Sequence, residues 1–228
     1  LKSEIEELRK KTSILAKEIS NIRHNRKEEF IKAIESEMND LGMSSTKFDV
    51  EIMADEDEEG ILIVDGVNIK ASSHGIDNIE FIIAPNKQSI FQPLRKIASG
   101  GEISRIMLSL KNVLSLGDYC ETMVFDEIDV GVGGRIAEVI GEKIAALSKR
   151  KQILSVTHLA QIAIYANTHF KVIKNEGEDN VTSTIEELNE NTRIGEIARM
   201  ITGKEITEAS IKHAAELLEG ARKSNIFI

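Results

Sequence analysis

The stretch RKIASGGEISRIMLSLKNVL, residues 95–114, places two adjacent glycines immediately before an amphipathic helix. Its apolar spacing predicts a helix over about residues 102–116, and Ser99 with Glu102 fits a capping box, in which each side chain satisfies a backbone N–H near the other. Capping does not require the two glycines, because glycine costs backbone entropy unless something must approach the main chain closely. A glycine-lined helix N-terminus presents free N–H groups and the positive end of the helix dipole. We therefore expect this segment both to cap its helix and to face an anion such as phosphate.

Polar residues follow two short apolar strands further along the chain. The strand TMVF (122–125) is followed by Asp126 and Glu127, and QILSV (152–156) is followed by a threonine and His158. The first acid can hold a hydrated magnesium ion, the second can deprotonate an attacking water, and the histidine can donate a hydrogen bond to a terminal phosphate. Taken separately, the acidic pair also fits a polar loop or a helix cap, and the histidine also fits an ordinary surface residue. Together with the glycine-lined helix they point to nucleotide chemistry.

The alternation of short apolar strands with helices sets the fold class. It predicts an α/β fold with a mainly parallel sheet flanked by helices, whose chemistry gathers at the carboxyl ends of the strands. A small antiparallel region precedes it, because residues 48–53 alternate in polarity and Asp65-Gly66 separates two apolar runs, which is a strong hairpin signal. We expect the strands HFKVIK (169–174) and VTSTIEEL (181–188) and two closing helices to complete the sheet.

The first three heptads carry an apolar seam. Its members are separated alternately by four and three residues, which predicts a coiled-coil helix. The alternative is an amphipathic helix packed on its own domain. A helical pattern continues to Gly42, a residue that suits a helix end. We expect a coiled-coil arm over residues 1–27 and a globular lobe over residues 28–228. The seam residues are Leu1, Ile5, Leu8, Thr12, Leu15, Ile19 and Ile22.

Composition excludes several classes of protein. The chain has 228 residues, 41% of them hydrophobic, a net charge of -9, one cysteine and five histidines. A disulfide framework is excluded, a structural zinc site is disfavoured, and no apolar run approaches the ~18 residues of a membrane span. The acidic balance argues against a broadly basic nucleic-acid surface. We expect a cytoplasmic protein.

The motifs resemble those of an ABC-type ATPase head, in the order that this family has. ASGGE (98–102) is similar to the signature loop, TMVFDEIDVG (122–131) to the Walker B strand and D-loop, and VTH (156–158) to the segment with the switch histidine. The fuller strings KIASGGEISRIMLSLK and SVTHLAQIA resemble the SMC-like branch of the family, and within it proteins that repair DNA double-strand breaks. The resemblance covers essentially the whole chain. It implies the C-terminal lobe of an ABC/SMC-type head preceded by a coiled-coil helix, in a nucleoid-associated protein.

Five residues match positions that the family uses to bind nucleotide. Ser99, Gly100 and Gly101 match signature residues that reach across a dimer interface to the γ-phosphate of ATP held by the partner head. Glu102 stands where transporter members usually have glutamine, in agreement with the SMC-like branch. Asp129 falls at the D-loop, which in the family lines the interface near the attacking water.

Three residues match positions that carry catalysis. The resemblance implies that Asp126 positions Mg²⁺, commonly through water, that Glu127 is the general base for hydrolysis, and that His158 is the switch histidine. The implied cofactors are ATP and Mg²⁺.

One family element is absent from the sequence. A phosphate-binding loop needs Gly-x-x-x-x-Gly-Lys-Ser/Thr, and the pair Gly203-Lys204 has Ala198 and Glu205 at the other positions. We interpret Gly203 as a helix C-cap. The resemblance to the SMC-like DNA repair branch implies that this Walker A loop lies in an N-terminal lobe before the coiled coil. The missing loop, the missing start Met and the seam that opens mid-pattern predict a C-terminal portion that hydrolyses ATP only within the complete protein.

The implied partners are the N-terminal Walker A lobe of the same protein, a second head in a homodimer and, from the resemblance alone, DNA; a membrane is not expected. Two alternatives stay open. One is another SMC-like or a transporter-type ABC subunit. Packing of residues 1–26 against the lobe would favour the transporter type. The other is a non-catalytic coiled-coil scaffold without nucleotide-dependent behaviour.

Overall fold

The computed structural model describes residues 1–97, 99–114, 117, 119–176, 181–203 and 205–224, without the side chains of residues 175, 176 and 181. It divides into two compact units, residues 1–39 with 43–98 and residues 40–42 with 99–228. No described helix is long and apolar enough to cross a membrane. The helices are α1 Lys2–Asp40, α2 Gly100–Leu114, α3 Gly134–Ser148, α4 Ala160–Ala163, α5 Glu190–Thr202 and α6 Glu208–Lys223. The strands are β1 Lys47–Ala54, β2 Leu62–Val64, β3 Val67–Ile69, β4 Asp77–Ala84, β5 Gln92–Pro93, β6 Thr122–Phe125, β7 Gln152–Ser155, β8 Phe170–Glu176 and β9 Val181–Glu187.

The first unit combines most of α1 with small antiparallel sheets. β1 pairs with β4 along the eight residues of each strand, and β5 adds to the other edge of β4. β2 and β3 form the predicted hairpin, whose turn residues Asp65 and Gly66 have φ values of 51° and 85°. Two successive positive φ angles belong to the tight hairpin turn that an Asp-Gly pair favours. The small antiparallel region is therefore confirmed.

Helix α1 exposes its apolar seam while another side contacts its own unit. All seven seam residues are exposed, up to 91% at Leu1. Ala16, in contrast, is buried with Leu62, Ile69 and Ile76. Arg23 donates to the Asp77 carboxylate at 2.6 Å. The seam is thus free for a partner helix, although the flank of α1 packs locally. α1 runs without interruption through residues 27 and 28, so the boundary between arm and lobe stays a prediction.

The second unit has a parallel strand pair at its centre. β6 and β7 pair in parallel from Thr122 opposite Gln152 to Phe125 opposite Ser155, with α3 as the crossover between them. One face of the pair is packed: Met123 and Phe125 are buried in a core that α2, α3 and α4 also supply. The α/β class predicted from the alternation of strands and helices is confirmed.

The pairing of the remaining strands differs from the sequence-based expectation. β8 and β9 form an antiparallel hairpin and do not continue a parallel sheet, so parallel pairing in the described residues is confined to β6 and β7. Four residues separate β8 from β9, whereas a parallel crossover needs a dozen or more. The second face of the β6–β7 pair is also open, because Val124, Leu154 and Val156 are 67%, 49% and 61% exposed. The described residues therefore cover only one face of these apolar strands.

Two glycines end helices as predicted. Gly42 follows α1 with φ 79°, and Gly203 follows α5 with φ 81° and donates its N–H to Arg199 O at 2.8 Å. Lys204 lies outside the described residues. α2 begins two residues earlier than the spacing indicated, and its predicted end at Leu116 also lies outside the described residues.

Candidate functional site

The N-terminus of α2 lies at the surface of the second unit. Ser99 and Gly100 are exposed and Gly101 is buried. Of the predicted capping box, the described residues show the bond from the Glu102 N–H to Ser99 Oγ, at 3.4 Å, while the N–H of Ile103 donates to Ser99 O at 3.1 Å. Ser99 therefore caps the helix, and this first turn remains accessible.

The two glycines allow a loop of the same chain to approach α2 closely. We call residues 126–131 the β6 loop, since they follow that strand. A Cβ on Gly100 would overlap Oε2 of Glu127, and a Cβ on Gly101 would lie 3.0 Å from Glu127 O and 3.1 Å from Val130 Cβ. The sequence suggested an external anion at this place. In the structure the chain itself brings a carboxylate to the positive end of the helix.

The β6 loop turns sharply at the acidic pair. The N–H of Glu127 donates to Asp126 Oδ1 at 2.9 Å, and Glu127 has φ 57°. This left-handed conformation is uncommon for a residue with a side chain and costs about 1–2 kcal/mol. Such strain often occurs where a side chain must be aimed at a particular place. Asp126 and Glu127 are both exposed, so their carboxylates are accessible to a ligand.

Two polar side chains of α2 hold the β6 loop. Arg105 Nη1 donates to Val130 O at 2.9 Å and to Ile128 O at 3.4 Å, and Ser104 Oγ donates to Asp126 O at 2.7 Å. Burial lowers the pKa of Arg105, against the opposing effect of the nearby Glu102 carboxylate. Arg105 and Ser104 thus hold the loop through its backbone carbonyl oxygens.

Sequence reasoning missed this contact, although a signal for it was present. Gly101, Arg105 and Ser109 are spaced four residues apart and are all buried. Residues at this spacing lie on one face of a helix, so the polar pair shares the face of a glycine that is close to another backbone. A buried polar row beside a helix glycine indicates a loop held against the helix.

Asp129 and His158 are brought together by the structure. Asp129 is only 5% exposed, and its Oδ2 accepts from Thr157 Oγ1 at 2.6 Å and from the N–H of His158 at 3.0 Å. The same oxygen lies 2.9 Å from His158 Nδ1, while the side chain of His158 is 73% exposed. Asp129 is therefore buried inside its own unit, whereas the resemblance implies that it lines an interface.

The acidic pair and the histidine lie at one edge of the sheet. Phe125 is opposite Ser155 in the parallel register, and the N–H of Val156 donates to Phe125 O at 2.9 Å. Because parallel strands end at the same edge, the β6 loop and His158 leave the sheet side by side. The strand-end arrangement inferred from the sequence is present here.

Asp126 suits a magnesium site that a phosphate shares. One of its oxygens accepts the Glu127 N–H, and the exposed carboxylate remains open to a ligand. No group of three or more His, Cys, Asp or Glu residues in the described part of the chain can hold a metal. Mg²⁺ commonly takes one or two carboxylates and completes its coordination with water and phosphate oxygens. The donor set fits that mode and does not form a complete protein cage.

No protein-family model matches the chain. It is similar to three proteins named DNA repair protein RecN, with 36% identity to that of Bacillus subtilis, 39% to that of Treponema pallidum and 36% to that of Mycobacterium leprae. These alignments cover 97–98% of the chain and 38–39% of the relatives. The chain therefore spans about two fifths of the length of the curated relatives it matches.

Solved structures of SMC proteins also match, at low similarity. An SMC head domain from Pyrococcus yayanosii has 17% identity and a TM-score of 0.47, covering 90% of this chain and 31% of that one. A structure from work on ATP-driven dimerization of SMC ATPases has 14% identity and a TM-score of 0.42, covering 89% and 97%.

Proposed function

The chain belongs to the RecN family of DNA repair proteins, and from this premise we propose that it is the C-terminal lobe of an ATP-hydrolysing head. In the complete protein this lobe would serve recombinational repair of DNA double-strand breaks. One observation carries the proposal: a glycine-lined helix N-terminus and an acidic pair at a sheet edge are both exposed, and they touch each other through Gly100 and Glu127.

The binding roles follow from the chemistry of α2. The backbone N–H groups and the helix dipole at the exposed Ser99 and Gly100 suit the terminal phosphate of ATP held by a second head. Gly101, which is buried against the β6 loop, would contribute through the helix dipole. Glu102 N–H is engaged by the Ser99 side chain, which keeps the first turn in helical form. The resemblance to ABC-type heads implies that Asp129 lies at this interface as well, but its burial favours a supporting role.

The catalytic roles fall to the sheet edge. Mg²⁺, when bound, would neutralise phosphate charge, and Asp126 is the carboxylate available to hold it. Glu127 would accept the proton of the attacking water, since its carboxylate is exposed and its backbone is fixed by the loop. His158 would contact the terminal phosphate through the exposed end of its ring.

The partner that completes the site is proposed to be the N-terminal Walker A lobe of the same protein. Val124, Leu154 and Val156 support this, because apolar parallel strands are ordinarily covered on both faces and these three are exposed. A second head would form the homodimer. Residues 1–27, with their exposed seam, would be the proximal arm, and residues 28–228 the lobe. DNA is proposed as a partner only because the relatives are named DNA repair proteins.

One observation favours the transporter-type alternative. Lys17 pairs with Asp65, and Lys27 pairs with Asp49 at 2.9 Å, so part of the arm contacts its own unit. These partly exposed ion pairs are individually weak. The exposed seam and the sequence identity to RecN proteins weigh more heavily, because a helix packed as part of a transporter subunit would bury its apolar residues.

The test uses the complete protein with the change Glu127→Gln. We expect it to bind ATP, to lose turnover and to accumulate as a closed dimer, measured by steady-state hydrolysis and size-exclusion chromatography with ATP. The matched control Glu219→Gln alters an exposed acid of α6 and should leave turnover intact. Unchanged hydrolysis in Glu127→Gln would refute the assigned base.

Ser99→Arg should prevent ATP-dependent dimerisation, and normal dimerisation in that variant would remove the signature assignment.

A further inference from the structure

Asp129 is the most fully engaged carboxylate at the sheet edge. We propose that it is a positioning residue, which holds the His158 imidazole with Nδ1 inward and Nε2 outward. Its contribution to hydrolysis would then run through His158 and not through contact with nucleotide or a second head. This inference rests on the proposed function, and it specifies which residue sets the orientation of His158.

The geometry restrains His158 at two points. Oδ2 of Asp129 accepts from the backbone N–H of His158 at 3.0 Å and lies 2.9 Å from its ring Nδ1. Thr157 Oγ1 donates to the same oxygen at 2.6 Å and accepts from the N–H of Leu159 at 3.0 Å. Backbone and ring are therefore tied to one buried atom, which limits rotation of the ring at a surface where it would otherwise be free.

The carboxylate also decides where the ring carries its proton. An ionised carboxylate only accepts hydrogen bonds, so Nδ1 must be the donor. In the neutral ring Nε2 then bears a lone pair, and this nitrogen has no hydrogen-bond partner among the described residues. Nε2 accepts a hydrogen bond when the ring is neutral, and it donates to a phosphate oxygen only when the ring is an imidazolium. A carboxylate that fixes a histidine tautomer in this way is a frequent arrangement behind functional imidazoles.

The competing role for Asp129 is direct contact across an interface. Its side chain is 4% exposed, and one of its oxygens already receives two hydrogen bonds and the His158 ring. A contact with a second molecule would require this arrangement to open. His158, with 73% of its side chain exposed, is the member of the pair that a ligand can reach.

The first experiment records imidazole ¹⁵N chemical shifts of this chain, with the His158 signals assigned from their loss in His158→Gln. We expect the neutral ring to be predominantly the Nδ1–H tautomer. Asp129→Asn should shift it toward a mixture that includes Nε2–H, whereas Thr157→Val, which removes another donor to the same oxygen, should retain the preference. A predominantly Nε2–H ring in the unaltered chain, or identical shifts in Asp129→Asn, would overturn the proposal. Urea unfolding verifies that each variant is folded.

The second experiment is a double-mutant cycle on ATP turnover by the complete protein. We expect Asp129→Asn to lower kcat about tenfold, the lower end of the loss known for removing the carboxylate partner of a metal-bound histidine. In a His158→Gln background the same change should cost less than about twofold, because coupled residues are not additive. Losses that multiply would assign Asp129 a role of its own and overturn the proposal. If the complete protein hydrolyses no ATP, the proposed function fails, while the ring spectra still decide whether Asp129 positions His158.

Discussion

Replacing Gly101 with alanine tests how tightly the β6 loop is held against α2. The added Cβ would lie 3.0 Å from Glu127 O, 3.1 Å from Val130 Cβ and 3.2 Å from Val130 O. Two of these atoms belong to the main chain, and the third is the branch point of a valine, so none of them can rotate away. The Val130 carbonyl is also fixed by its bond from Arg105. The new methyl group therefore has to displace the loop or the helix.

The size of the effect follows from two opposing contributions. Alanine is favoured over glycine in a helix interior by about 1 kcal/mol. Insertion of a methyl group into a well-packed contact costs about 1–3 kcal/mol. Gly101 is the second residue of α2 and receives at most this gain, so we expect Gly101→Ala to lose up to about 3 kcal/mol. Gly195→Ala in α5 is the matched control, because its added Cβ meets no atom within 4 Å. The control should gain about 1 kcal/mol.

Urea unfolding of both variants, followed by circular dichroism, measures the difference. The midpoint should rise for Gly195→Ala and fall for Gly101→Ala, with the two free energies of unfolding separated by at least about 1 kcal/mol, the lower limit of the cost of the contact. An equal rise in both variants would refute the reasoning, because it would mean that the loop does not press on the helix.

Three further predictions concern single side chains. Gly100→Ala should change the free energy of unfolding by less than about 0.5 kcal/mol, because the overlapping atom is the end of the flexible Glu127 side chain; a loss as large as that of Gly101→Ala would contradict this contact. Glu127→Gly should be more stable than Glu127→Ala by about 1 kcal/mol, since glycine adopts the positive φ without strain; equal urea midpoints would remove the evidence for strain. Burial alone raises the pKa of Glu196, but hydrogen bonds and charges from Arg199 and Lys171 outweigh it and hold this pKa below its ordinary value. The ionised Glu196 therefore stabilises the fold fully above the pKa of an unfolded glutamate, and this stabilisation is lost as the pH falls through the lower folded pKa. Glu196→Gln should flatten the dependence of the urea midpoint on acid pH. If the midpoints of the variant and the unaltered chain fall in parallel with pH, Glu196 is not the source of the acid dependence.

The sequence predicts those structural features that residues close together in the chain determine. Asp65-Gly66 makes its turn because adjacent residues supply two positive φ angles. Asp126 and His158 reach one edge of the sheet because parallel strands end together, a property that short apolar runs alone indicate. These features depend on a few consecutive residues, so the sequence contains enough to infer them.

Features that join distant residues could not be predicted. The hydrogen bonds of Arg105 connect residues more than 20 positions apart, and helical spacing does not say which backbone lies opposite. The burial of Asp129 depends likewise on Thr157 and His158, which follow β7. The antiparallel pairing of β8 with β9 is different, because the short separation of the two strands in the sequence already excludes the long crossover that a parallel pair needs.

The contact between Glu127 and Gly100 has a consequence for a two-headed assembly. A phosphate delivered by the opposing subunit would arrive at a helix tip that already faces a negative charge of its own chain, and two anions repel each other at such short range. The resident carboxylate would be pushed aside as the phosphate docks. In the proposed dimer, the position of the Glu127 carboxylate would therefore depend on whether a phosphate of the second head occupies this helix N-terminus.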